Sequence, residues 1–212
     1  MRFCRRLAAF SLLLPAALVH AGRPLTVDDA NVNAPGAGHV EAWYAHLPGQ
    51  IDAWTIAPAF SPAEGFEFSA AMRRDASTPL TSSTIQVKSL FTPTQERGCN
   101  AGALLGAVYA QGTGNTPYAV GLLSCNSKLG STHFNLGASR NPGGPTLELW
   151  GIAHEHAFGA VTADIEVFGQ RESKPTLQIG ARTDIAKNVQ LDGTLGRNNK
   201  ETLTSIGLKF SF

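Results

Sequence analysis

The sequence of 212 residues has little charge, few aromatic residues and, after residue 21, no apolar run long enough for a membrane-spanning helix. Its 17 Lys and Arg residues nearly balance its 16 Asp and Glu residues, so nothing indicates nucleic-acid binding or an acidic disordered tail. Helical periodicity is nearly absent. Phosphate-binding loops, dinucleotide-binding turns and zinc-ligand spacings are absent as well, so the sequence predicts no cofactor.

The first 21 residues have the pattern of a secretory signal peptide. Three arginines precede an apolar stretch at 7–19, and Val19-His20-Ala21 supplies the positions that a signal peptidase recognises. The stretch is too short to span a bilayer as a helix; the alternative is a short buried helix. Cleavage removes three basic residues and no acidic ones, so a mature chain that begins at Gly22 carries a formal charge of −2. The pattern predicts export through the periplasm.

Short alternating segments, separated by clusters of Gly, Pro, Asn and Asp, make up most of the remaining chain, as is typical of an all-β protein. Residues 22–38 show no strand pattern and are predicted to be a periplasmic or lumenal leader. The short connectors predict an up-and-down meander of about twelve antiparallel strands. The predicted strands lie at 39–47, 51–60, 65–73, 83–92, 99–110, 117–125, 129–139, 145–154, 159–168, 175–183, 188–197 and 202–212.

The last strand carries the most specific signal. Its apolar residues alternate with polar or small ones, so the two sets face opposite sides of a sheet. The apolar set, which resembles the carboxyl-terminal signature recognised by the outer-membrane barrel assembly machinery, is Ile206, Leu208, Phe210 and Phe212. Because an exported chain without apolar helices can cross a bilayer only as a closed barrel, residues 39–212 are predicted to form a transmembrane β-barrel. A soluble sandwich has the same alternation and is the alternative.

Five short motifs resemble one group of Gram-negative outer-membrane proteins. They are RPLTVDDA at 23–30, GHVEAW at 38–43, IQVKSLF at 85–91, VQLDGTLG at 189–196 and SIGL at 205–208. These motifs are similar to those of transporter-like barrels of the "MetA-pathway of phenol degradation" type. The resemblance implies an outer-membrane barrel in contact with outer-membrane lipid and suggests a channel for a small solute. It carries no established substrate.

Charged residues within the predicted strands lie opposite the apolar face, and a barrel would turn them toward its lumen. The lumen-lining candidates are Glu41, Glu67, Arg73, Lys88, Glu148, Asp164, Glu166, Arg182, Asp192 and Lys209. Twelve strands lie between the small barrels that side chains fill and the large barrels that stay open. We therefore predict a passive channel for small polar or weakly aromatic solutes, with a non-conducting structural or adhesive barrel as the alternative.

Two groups of residues are similar to metal or catalytic sites. His154 and His156 share one face of a strand, but no third ligand is evident, and solvated turn residues are the favoured interpretation. Ser131, His133 and Asn135 also share a strand face, and outer-membrane phospholipases use Ser, His and Asn on a barrel wall. There the catalytic groups face lipid, whereas this trio is predicted to face inward. The sequence thus predicts no metal ligand and no catalytic residue, and a lipid hydrolase is a remote alternative.

Cys99 and Cys125 are the two cysteines that follow the predicted signal peptide. Export to an oxidising compartment permits a disulfide. The two residues open one predicted strand and close the next, so an antiparallel hairpin brings them to the same end of neighbouring strands. We predict a structural bridge; metal binding or a thiol nucleophile is the alternative, and no partner residues for either are evident.

Overall fold

The chain forms one closed sheet of twelve antiparallel strands. The computed structural model describes residues 23–47, 49, 51–76, 81–95, 97–110 and 114–212, so the predicted signal peptide lies outside the described residues. In the part of the chain that it describes, no helix is long and apolar enough to span a membrane.

Each strand pairs with its neighbours in the chain, which gives an up-and-down meander. The strands are β1 (Gly38–Leu47), β2 (Ile51–Ala63), β3 (Phe66–Asp75), β4 (Thr81–Leu90), β5 (Gly98–Ala110), β6 (Gly114–Ser127), β7 (Gly130–Arg140), β8 (Thr146–Phe158), β9 (Val161–Gln170), β10 (Thr176–Ala186), β11 (Val189–Asn198) and β12 (Glu201–Ser211).

The sheet closes where β1 pairs with β12, from His39 opposite Ser211 to His46 opposite Thr204. Phe212 extends this seam, because its N–H donates to the Gly38 carbonyl and its carbonyl accepts from the Gly38 N–H, each at 2.9 Å. We call the end of the barrel at Gly38 and Phe212 the terminal end, and the other the far end. Closure leaves no sheet edge unpaired.

All twelve predicted strands are confirmed, and so is the closed antiparallel barrel. The strand ends differ from the predicted ones by a few residues. The largest difference relevant to a site is in β8, which continues to Phe158 instead of ending at 154. His154 and His156 therefore lie on a strand and not in a turn, which corrects the sequence interpretation.

The barrel is apolar outside and polar inside. Large hydrophobic side chains are exposed on its outer face, among them Phe68, Leu136 and Ile206, the last at 59%. Charged side chains such as Glu67 and Asp192 are buried in the lumen. This inverts the usual distribution of a water-soluble protein, and a bilayer is the surrounding that an apolar exterior of this kind fits.

A disulfide joins Cys99 near the start of β5 to Cys125 near the end of β6, with an S–S distance of 2.06 Å. The two residues face each other directly in the β5–β6 ladder. The predicted bridge is thus present, and it ties neighbouring strands at the terminal end.

Candidate functional site

Residues 23–37, which we call the lumen segment, lie inside the barrel. Three of their side chains, Val27, Asp29 and Ala30, are at most 2% exposed. The segment follows the inner wall and hydrogen-bonds one strand after another. Its partners include Glu67 on β3, Asn100 on β5, Ser124 on β6, Asn135 on β7, Glu166 on β9 and Asp192 on β11. The lumen toward the terminal end is therefore filled by the chain's own N-terminal residues.

Arg23 occupies a pocket built from β1, β11 and β12. Its Nη2 and Nε donate to the same Asp192 Oδ1 at 2.9 and 3.1 Å. Nη2 also donates to Ser205 Oγ at 2.8 Å, and the guanidinium lies 4.5 Å from the centre of the Trp43 ring. Gln190 Nε2 donates to the Arg23 carbonyl at 3.0 Å. The pocket thus offers a charge-assisted hydrogen bond, a hydroxyl and an aromatic face to one cation.

Lys88 on β4 holds the middle of the lumen segment. Its Nζ pairs with Asp28 and lies 3.0 Å from Asp29 Oδ1. Burial raises the pKa of the Asp29 carboxyl, but the charges of Lys88 and His133 and hydrogen bonds from Lys88 and Asn31 outweigh it and leave this pKa below its usual range. The Lys88 side chain is 7% exposed, so this attraction is little screened by water.

Wall side chains also bind the backbone of the lumen segment. Glu166 accepts hydrogen bonds from the N–H groups of Thr26 and Val27, at 2.9 and 2.8 Å. Asn135 accepts from the Asp28 N–H and donates to the Asp28 carbonyl, both at 2.7 Å. Gln178 Nε2 donates to Glu166 Oε1 at 2.6 Å and fixes the carboxylate. Glu166 and Asn135 therefore bind the backbone of the segment, and these contacts do not depend on which side chains the segment carries.

A buried polar chain continues from the segment through Ser124, His133, Glu155 and Arg182. Ser124 Oγ accepts from the Ala30 N–H and contacts His133 Nδ1, both at 2.7 Å. His133 Nε2 lies 3.5 Å from Glu155 Oε1. Arg182 Nη2 lies 2.6 Å from Glu155 Oε2, an ion pair by distance whose angles fall outside those of a hydrogen bond. Because the segment covers Ser124 completely, this hydroxyl anchors Ala30.

Glycines of the wall make room for the segment. A Cβ at Gly151 would lie 2.6 Å from Val27 Cγ2, and one at Gly207 would lie 2.9 Å from Arg23 Nε. A Cβ at Gly180 would meet Pro24 Cγ at 2.8 Å. Contacts this short are not tolerated, so Gly151 has to lack a side chain while Val27 is in place. At Gly180 and Gly207 the wall contributes as well, because the Asp164 carboxylate and Trp43 Cβ lie 2.7 and 3.0 Å from the respective Cβ positions.

A cavity of about 390 Å³ lies beside the lumen segment, and its lining extends from His39 near the terminal end to Leu47 near the far end. Residues 23–29 line one side of it. The barrel wall around it carries small or uncharged residues such as Ala45 and Thr194 together with the charged Glu41, Glu67 and Lys88. The cavity is large enough for a small solute.

Eight of the ten predicted lumen residues are buried in the barrel. They are Glu41, Glu67, Lys88, Asp164, Glu166, Arg182, Asp192 and Lys209. Arg73 is half-buried and pairs with Asp75 toward the far end, with Nη2 3.0 Å from Oδ1. Glu148 differs from the expectation: it shares the outward face of β8 with Trp150, is exposed, and pairs with Arg171 at 3.4 Å.

The histidines of β8 lie on its outer face and contact the turn before β7. His154 Nε2 and His156 Nδ1 lie 3.1 and 2.9 Å from the Leu129 carbonyl. Glu155 points the opposite way, into the lumen. No group of three His, Cys, Asp or Glu side chains within the described ranges is arranged to hold a metal ion.

Sequence reasoning missed several residues of this site. Glu155 lies between His154 and His156 on β8. Because successive side chains of a strand face opposite sides, two outward histidines place Glu155 on the inward face. The roles of Arg23, Asp28 and Asp29 had no such signal, because the segment has no strand period. Ser131, His133 and Asn135 do not act as a unit, since His133 contacts Ser124 and Asn135 binds the segment.

Comparison with solved structures places this chain among barrels with the porin fold. KdgM porin in complex with disordered oligogalacturonate superposes with a TM-score of 0.71 at 10% identity, over 83% of this chain and 99% of that chain. NanC porin superposes with a TM-score of 0.64 at 8% identity, over 82% and 98% of the two chains. At these identities the likeness concerns the fold alone.

The sequence itself matches a family profile. The family described as uncharacterised conserved protein UCP029691 matches residues 8–206, and the chain belongs to this family. Among curated proteins, no sequence matches the chain.

Proposed function

We propose that this protein is an outer-membrane barrel that gives small polar solutes a passive route, and that its lumen segment closes this route in the conformation described. The observation that carries the proposal is the position of the segment: it occupies the lumen, where it binds strands around the wall, and leaves a cavity of about 390 Å³ beside it. Solutes would move down their own gradient, because no nucleotide-binding motif is present in the sequence to power transport.

The outer-membrane location is supported by three features. The exterior is apolar, every strand is paired around the closed barrel, and the sequence begins with the pattern of a signal peptide. KdgM and NanC, whose solved structures superpose on this fold, are porins. Both chain ends of a barrel with an even number of strands lie on one side. Four of the five turns at that end have two residues, and short turns are typical of the periplasmic side, so the terminal end would face the periplasm.

Reversible closure is supported by the way in which the lumen is filled. Glycines stand on the inner wall where the segment approaches, so the wall by itself does not close the lumen. The segment is held by hydrogen bonds and ion pairs to the wall, and water can replace these bonds when the segment moves. The segment also makes apolar contacts, since Ala30 packs in one buried cluster with Leu104 and Leu122, and these contacts are lost when it moves.

The alternative is a non-conducting structural barrel. It is supported by ion pairs within the wall itself, such as Arg182 with Glu155, which persist when the segment leaves. The resemblance to barrels of the phenol-degradation type would add weakly aromatic compounds to the solutes, and this remains a prediction.

Conductance in planar bilayers separates the two functions. We expect the wild-type protein to conduct rarely and a variant that lacks residues 23–33 to conduct continuously, because the deletion empties the lumen. The predicted signal peptide and Gly22 are retained in both, and heat-modifiable mobility confirms that both are folded. A folded deletion variant with no conductance would contradict the channel and support the structural barrel.

A further inference from the structure

We propose that the pocket that holds Arg23 is a binding site for guanidinium-bearing cations, which enter it when the lumen segment is displaced. This inference rests on the proposed function, because a solute reaches the pocket through the lumen. Arg23 is then a tethered occupant of a site that also takes free ligands.

The geometry of the pocket fits a guanidinium group more closely than an ammonium group. Asp192 accepts from two nitrogens of Arg23, and Ser205 accepts from one of them at 2.8 Å. Trp43 covers a face of the planar cation at 4.5 Å. A planar fork that donates at its edge and stacks on its face satisfies all three residues, whereas a compact ammonium ion does not.

Buried oxygens in and beside the pocket remain without hydrogen-bond donors. Asp192 Oδ2 has none, although the Asp192 residue is only 3% exposed. Both carboxylate oxygens of Asp164, which lies across β10 and is 6% exposed, have none either. Buried carboxylates normally have partners. The Nη1 and Nη2 atoms of Arg182 on β10 are likewise buried without hydrogen-bond acceptors. Asp192 Oδ2, whose carboxylate already binds Arg23, is therefore the oxygen that offers a further donor a place in this pocket.

The charge of the wall also selects cations. Among the described residues, the buried charged side chains of the strands comprise six acids and three bases. They are Glu41, Glu67, Glu155, Asp164, Glu166 and Asp192 against Lys88, Arg182 and Lys209. Once Arg23 leaves, the pocket has lost its own cation and the wall keeps a formal charge of −3. A polyanion such as an oligogalacturonate is disfavoured in this lumen.

A tethered occupant competes with any free ligand at a high effective concentration. Free guanidinium compounds should therefore bind weakly to the wild-type protein. Truncation of Arg23 should expose the same site to them, and this makes the proposal testable at equilibrium, without a measurement of conductance.

The experiment uses the full mature chain, refolded in detergent, with the substitutions Arg23→Ala, Trp54→Phe and Trp150→Phe. Trp43 is then the single tryptophan, so the fluorescence of the protein reports on the Arg23 pocket that Trp43 lines. Arginine is the probe, and citrulline, which has nearly the same shape but no charge, is the matched control. We expect a saturable change in Trp43 fluorescence with arginine, with affinity at least about tenfold above that for citrulline. Asp192→Asn should remove this difference.

Equal affinity for arginine and citrulline, or no response to arginine in the folded protein, would overturn the proposal. Should Asp192→Asn not fold, Ser205→Ala supplies the test, and an unchanged arginine affinity there would count against the pocket. Conductance separates this result from the proposed function. A segment-deleted protein that binds arginine but never conducts disproves the channel alone, and one that conducts without binding arginine disproves the site alone.

Discussion

At the scale of single residues, a few hydrogen bonds and ion pairs from the barrel wall hold the lumen segment in place. Glu166 and Asn135 bind backbone groups of the segment, while Lys88 and Asp192 bind its charges. Buried ionic contacts of this kind contribute little net stability when complete, but losing one partner leaves an unpaired charge in the interior. Single substitutions in the wall should therefore affect the segment more than the barrel.

Gly151→Leu should displace the lumen segment. Even a Cβ at this position would lie 2.6 Å from Val27 Cγ2, and a leucine is larger still. We expect several-fold more frequent opening in planar bilayers. Gly121→Leu, on the outward face of β6, controls for the added leucine itself, because a Cβ there has only an ordinary contact of 3.5 Å with a backbone oxygen. Identical opening in both variants would contradict the assigned position of the segment.

Lys88→Met should loosen the same segment from another side. The substitution leaves Asp28 and Asp29 without their cation, which costs about 3 kcal/mol or more for a buried pair. We expect faster hydrogen exchange in residues 23–37, measured by mass spectrometry, while the strands stay protected. Lys187→Met, in an exposed turn, is the control; equal exchange in the two variants would show that Lys88 does not hold the segment.

At the scale of elements, the seam between β1 and β12 decides whether the sheet is closed. The seam joins residues that are far apart in sequence, and it ends on the two hydrogen bonds between Gly38 and Phe212. The outward stripe of β12 ends at the same Phe212. One residue thus contributes both to closure and to the predicted assembly signal.

Deletion of Phe212 should greatly reduce the amount of folded barrel in the outer membrane. The deletion removes both seam bonds and the last residue of the apolar stripe. The measurement is the fraction of membrane-inserted, heat-modifiable protein. Phe91→Ala, which removes another exposed phenylalanine outside the strands, should leave it unchanged. Normal levels after the Phe212 deletion would mean that the stripe is not needed for assembly.

Reduction of the Cys99–Cys125 bridge should lower the free energy of unfolding by up to about 3.5 kcal/mol, the chain-entropy value for a loop of this size. The two residues are 26 positions apart. The check is a urea titration of the oxidised and reduced protein. The Cys99→Ala, Cys125→Ala double variant should match the reduced protein, and a midpoint that stays the same on reduction would contradict a stabilising role.

At the scale of the whole molecule, the fold was predictable because apolar and polar residues alternate with a period of two along the strands. The lumen segment was not predictable in this way, since its contacts join residues as much as 182 positions apart and leave no local pattern. Glu148 was misassigned for a related reason. Leu147 and Leu149 face inward on β8 while Trp150 faces outward, so both faces of this stretch are apolar and the phase of the alternation is obscured.

The mature chain is predicted to begin at Gly22, directly before the lumen segment. Cleavage there leaves Arg23 as the second residue, so the segment enters the lumen without the apolar stretch at 7–19. Mass spectrometry of the protein from outer membranes should give the mass of residues 22–212 with one disulfide. An intact Met1 would refute the signal peptide, and a start beyond residue 33 would refute a segment-filled lumen.

The distances in sequence between the lumen segment and its partners also have a kinetic consequence. Arg23 binds Asp192 and Ser205, which follow it in the chain by 169 and 182 positions. Contacts of such separation form late, because the entropy of closing the intervening chain is lost before they add any stability. The pocket for Arg23 exists only after β12 has joined β1. We therefore expect Arg23 to dock after the sheet has closed, whereas nearer contacts of the segment, such as Asn33 with Glu67, form earlier. Under the proposed function, the rate of Arg23 docking sets how long a newly assembled barrel conducts.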